Sequence, residues 1–131
     1  MASFKPEASN GLSTVLDAAD KQGVTVYPLA LPSGDPKRLP YVSPAQVAIY
    51  SGARTRLQML ADRTGGRLNE IRQLQDMSRL YVEVAAELRT LYGIAYQPAS
   101  GRTRDGRWRS IRIEVARPEL IARTRPGYFA R

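Results

Sequence analysis

Residues 12–31 read LSTVLDAADKQGVTVYPLAL. Leu12, Val15, Leu16 and Ala19 fall at helical spacing and give one apolar face, so residues 12–22 are predicted to be helix. Ser9 or Asn10 can cap its start. Gly23 stops it, at the position where glycine is favoured because it tolerates positive φ. Residues 24–31 have another character. VTVYPLAL is apolar on both faces and rich in β-favouring residues, the pattern of a strand covered on both sides in a parallel sheet. Pro28 has no N–H to donate, so that one residue does not fit a central ladder position. A helix, a glycine and a two-sided apolar strand make the αβ half of a βαβ unit.

Downstream, residues 32–41 read as a loop punctuated by Pro32, Gly34, Pro36 and Pro40. A second helix follows, with Ser43 as cap and Pro44 at the first helical position. Val47, Tyr50, Ala53, Leu57, Leu60 and Ala61 line its apolar face. Gly52 weakens its middle and can split it in two, and Gly65-Gly66 ends it. A short strand is expected at 67–71. The third helix is the clearest: Met77, Leu80, Tyr81, Val84, Leu88 and Leu91 keep amphipathic spacing over about four turns, from a cap at Asp76 to a stop at Gly93.

The period then changes. Residues 94–97 read as a short strand, and 99–107 as a loop holding the turn signal Asp105-Gly106. Residues 108–116 alternate, with Ile111, Ile113 and Val115 on one face and Trp108, Ser110, Arg112 and Glu114 on the other. The strands at 94–97 and 108–116 are expected to pair as a long-looped antiparallel hairpin, with a further short strand at 120–125. There is no internal repeat and no low-complexity segment. The fold class is therefore α/β: a partial Rossmann-like three-layer sheet with about three helices and a C-terminal antiparallel β-hairpin, in a single domain over residues 1–131.

Composition narrows the function. The 131 residues contain no cysteine, which removes disulfides and thiolate metal sites, and no histidine, which removes the commonest general base and metal ligand. No apolar run approaches the roughly 20 residues of a membrane span, and residues 1–10 are polar, unlike a signal peptide. The compartment cannot be read from the chain. The net charge is +8, and residues 97–131 supply +6 of it. Arginine outnumbers lysine 17 to 3, a bias that a GC-rich genome explains better than an anion-binding role does.

Three segments carry a family resemblance: LYVEVAAELRTLYGIAYQP (80–98), DGRWRSIRIEV (105–115) and RTRPGYFA (123–130). With the upstream GVTVYPLAL and LADRTGG they resemble the C-terminal half of a von Willebrand factor type A domain, in a bacterial branch of VWFA-related domains. Glu87-Leu88-Arg89, Tyr92, Tyr96, Gly106, the alternating residues 111–115, Arg125 and Gly127-Tyr128 stand in that branch's order, and the likeness runs from about Leu12 to Ala130. Type A domains hold a divalent cation on an Asp-x-Ser-x-Ser motif after the first strand, completed by a distant Thr and Asp. Neither that motif nor the usual Thr-Asp-Gly occurs here. The chain reads as the part that follows both, so no metal or cofactor is expected. Relatives of this branch are often exported.

The family's first strands lie mid-sheet. Without them residues 24–31 are expected to leave one edge open, inviting pairing with another chain unless the C-terminal hairpin covers it.

Catalytic constellations are thin. Glu83 and Glu87 lie one turn apart and could pair as acid and base, but read better as a solvated helix face on which Arg79 supports Glu83. Asp17 and Asp20 read the same way. Gly65-Gly66 runs from helix to strand, the reverse of a phosphate loop, and no Gly-x-Ser-x-Gly occurs. Tyr92, Tyr96, Trp108 and Tyr128 lie near the arginines, a combination that can grip single-stranded nucleic acid, although packing accounts for them too. The expected function is a non-catalytic protein-interaction module. The alternative is anion or nucleic-acid binding through the Arg-rich C-terminal segment, with Arg102, Arg104, Arg107, Trp108, Arg109 and Arg112 as the candidate contact surface.

Overall fold

A computed structural model describes residues 8–32, 35–98 and 104–130. The chain is α/β, and the described residues form three α-helices, a small parallel pair of strands and a C-terminal antiparallel pair. Helix α1 spans Ala8–Gln22 and ends on Gly23, whose φ is +65°. It starts ahead of the expected caps, so Ser9 and Asn10 sit in its first turn. Strand β1 is Leu29–Ala30 only; residues 24–28 before it form no strand, and Pro28 can donate no ladder bond there. In the following loop Asp35 caps a 3₁₀ turn, Pro36–Arg38, its carboxylate accepting from Lys37 N at 3.0 Å.

Helix α2, Pro44–Thr64, opens with a complete capping box. Ser43 Oγ accepts from Gln46 N at 3.2 Å, and Gln46 Oε1 accepts from Ser43 N at 2.9 Å. The helix closes on Gly65, left-handed at φ +80°. Gly52, which could have split the helix, does not. With both ends capped, one glycine's cost of about 1 kcal/mol is too small to break it. Strand β2, Asn69–Glu70, runs parallel to β1, with Asn69 N donating to Pro28 O and Ile71 N to Ala30 O, each at 2.9 Å.

Helix α3 spans Asp76–Leu88, shorter than its apolar spacing suggests. Asp76 is its first residue rather than its cap, and its carboxylate accepts from Gln73 N at 3.2 Å in the preceding turn. The helix ends well before Gly93, because Thr90 satisfies the Glu87 carbonyl with both its amide (3.0 Å) and its hydroxyl (2.8 Å). Leu91 and Gly93 therefore lie outside it.

The antiparallel pair is real, but its partners differ from those expected. Strand β3 is Trp108–Ser110, and it pairs with β4, Gly127–Phe129, not with 94–97. Gly106 N to Ala130 O (2.7 Å) and Ile111 N to Pro126 O (2.8 Å) extend the ladder at each end. Residues 94–97 and 120–125 form no strand. Of the strand expected at 108–116 only 108–110 forms, and Ile113 and Val115 of its apolar face are exposed. Alternation could not name a partner; Gly127 admits β3 closely, since a Cβ there would lie 2.6 Å from the Trp108 ring.

The core is small. Among the described residues Ala19, Pro28, Ala30, Ala61, Ile71 and Leu80 are buried apolar ones, three of them alanines, so close backbone approach does much of the packing. Buried Thr64 joins α2 to the strand layer, its Oγ1 accepting from Val26 N (3.0 Å) and donating to Leu60 O (2.8 Å). Thr64→Val keeps the shape and orphans the Val26 amide. Urea unfolding is expected to show a loss of about 1–2 kcal/mol.

Candidate functional site

The C-terminal pair, residues 92–98, which form no regular element, and residues 123–125 line a groove of about 1220 Å³. Five aromatic side chains line it: Tyr92, Tyr96, Trp108, Tyr128 and Phe129. Five arginines join them: Arg104, Arg109, Arg112, Arg123 and Arg125. No carboxylate is among the lining residues.

Each side chain has a local reason for its place. The Asp105-Gly106 turn, with Gly106 at φ +69°, starts β3. Asp105 accepts from Arg107 N at 3.0 Å, and its other oxygen holds the Arg109 guanidinium at 3.0 Å, fixing Arg109 along the strand. Trp108 packs edge-to-face on Phe129, its cross-strand neighbour, with centroids 5.0 Å apart. The Arg63 guanidinium from α2 lies 4.7 Å from the Trp108 ring and 3.7 Å from Asp20 of α1. Tyr96 and Tyr128 meet edge-to-face, their hydroxyls 2.7 Å apart, which ties residues 92–98 to β4.

Of the expected contact residues, Arg104, Trp108, Arg109 and Arg112 line the groove. Arg107 is exposed and does not line it; its Nε lies 3.8 Å from Asp105. Arg102 lies outside the described residues. Arg123, Arg125 and Phe129 join the set, although only their place in an arginine-rich tail hinted at it. Arg112 is held by Glu114 at 2.9 Å and Arg123 by Glu87 at 2.7 Å. Arg104 and Arg125 make no ion pair among the described residues.

The carboxylates divide differently from their sequence reading. Glu83 pairs with Arg79 at 2.9 Å on an exposed face, as expected. Glu87 is not a solvated neighbour of it. It turns inward to Arg123 and to Arg67, 3.3 Å away, and it hydrogen-bonds the Tyr27 hydroxyl. Burial, reinforced by that carboxylate, raises the Tyr27 pKa above the usual 10.0. Asp20 is likewise largely covered, whereas Asp17 is exposed. Among the described residues no three Asp or Glu side chains gather as a cation site would require, and no helix is long and apolar enough to cross a membrane. No protein-family model, curated protein or solved structure matches this chain.

Proposed function

We propose that the chain is a non-catalytic protein-interaction module of the von Willebrand factor type A kind, whose parallel sheet is completed by a strand from another polypeptide. The observation that carries this reading is the free edge of β1. Pro28 O and Ala30 O face β2, so the alternation of the backbone turns the Leu29 N–H and carbonyl the other way, where no described strand meets them. Parallel pairs in soluble proteins are normally flanked by further strands. Val24 and Leu31, at the two ends of this segment, are 48% and 46% exposed.

In the purified chain the occupant is a second copy, because the same open edge is then the most abundant acceptor. Sedimentation equilibrium from micromolar to millimolar concentration is expected to show the mass rising toward a dimer. The Leu29 amide should gain hydrogen-exchange protection in step. A monomer throughout overturns the proposal.

The groove favours a second reading, binding of an anion or nucleic acid by the C-terminal surface. Its support is the five lining arginines without a lining carboxylate. Affinity for generic DNA should then fall steeply as salt rises, because neutralised phosphates release counterions. Absence of binding at low salt removes this reading.

A further inference from the structure

We infer that the groove between residues 92–98 and the β3–β4 pair takes a single-stranded nucleic acid, its bases stacked on the exposed tyrosines and its phosphates on Arg104 and Arg125. The inference rests on the second reading above and adds the form of the ligand. The groove's size argues first. At about 1220 Å³ it exceeds the roughly 300–1,000 Å³ of small-molecule pockets and runs open between residues 92–98 and the β3–β4 pair, which suits a polymer.

Ring exposure argues next. Tyr92 is 89% exposed and Tyr96 59% exposed, so both keep ring surface in water at the groove wall. A duplex hides its base faces in its own stack, whereas a single strand can lay them on these rings, and such stacking is tolerant of sequence. The charge is arranged for the same ligand. Arg109, Arg112 and Arg123 are held in place by Asp105, Glu114 and Glu87, while Arg104 and Arg125 have no ion pair among the described residues and remain for phosphate.

Fluorescence anisotropy with a labelled oligodeoxythymidylate, the matching duplex and polyglutamate tests this on the intact chain. The oligothymidylate is expected to bind about tenfold more tightly than either competitor. Tyr92→Ala should weaken it about tenfold with the salt slope unchanged, and Tyr92→Phe should restore it. Arg125→Ala should lower the salt slope by about one. Tyr92 is too exposed for its loss to unfold the chain. Equal affinity for duplex or polyglutamate, or an inert Tyr92→Ala, overturns the single-strand inference and leaves anion binding standing. No binding of any of the three at low salt overturns both.

Discussion

Gly66→Ala is expected to cost at least about 3 kcal/mol, a large part of the roughly 5–15 kcal/mol that holds a domain of this size folded. Gly66 is buried where α2 hands over to β2, directly against the segment that leads into β1. A Cβ there would fall well inside contact distance of the Val26 carbonyl oxygen and 2.8 Å from its carbon. Both are backbone atoms, so no rotamer change relieves the clash. Val26 would have to move, and its amide would leave Thr64 Oγ1, the bond that ties this segment to α2. The damage is therefore steric and polar at once. Gly93→Ala is the matched control, since an added Cβ there meets nothing within 4 Å, and its effect should stay within about 0.5 kcal/mol. Thermal and urea melts followed by circular dichroism measure both. A Gly66→Ala variant as stable as its Gly93→Ala counterpart would show that the two segments do not approach so closely.

That pair of glycines also marks how far the sequence could be read. Gly65-Gly66 was legible as a helix stop, and Gly65 is one. The second duty of Gly66, admitting a backbone some forty residues earlier, leaves no trace in local pattern. The same division runs through the fold. Ser43-Pro44 and Gly23 act within a few residues and are where the spacing put them; of the predicted apolar faces only Ala19, Ala61 and Leu80 are buried, while Val15, Val47, Tyr81 and Leu88 are exposed and Leu91 lies beyond α3. Strand pairing acts across the chain. The alternation of 108–116 placed a strand of which only 108–110 forms, and it did not say that 127–129, rather than 94–97, would lie beside it. The groove was legible in kind, as arginines among aromatic rings, but its far wall was not. Arg123, Arg125 and Phe129 reach it only because β4 brings the tail back alongside β3.

Glu87→Ala is expected to destabilise the chain by about 2 kcal/mol, although Glu83→Ala, one turn away, should cost no more than about 0.5. The difference comes from what each carboxylate touches. Glu83 meets Arg79 alone, in the open, where screening by water leaves an ion pair with little net value. Glu87 is the common partner of the Tyr27 hydroxyl, Arg67 and Arg123, so it links the approach to β1, the approach to β2 and the tail that forms the groove. Arg67 and Arg123 are partly exposed and can turn to water when it is lost, which limits the cost. Tyr27 supplies a pH signature that the arginines cannot. Its pKa is raised in the fold, so the folded state holds that proton more tightly than the unfolded chain does. The contribution is complete below the unfolded value near 10 and is lost as pH rises through the folded one. Stability of the wild-type chain should therefore fall in alkali beyond pH 10, and Tyr27→Phe should flatten that fall by losing at neutral pH the contribution that the tyrosine makes there. In Glu87→Ala the fall should be shallower too, because the carboxylate that helps to raise the tyrosine is gone. An alkaline limb that is the same in all three proteins would mean that Tyr27 and Glu87 do not meet in solution, and Glu87 would then be no more than a second exposed ion pair.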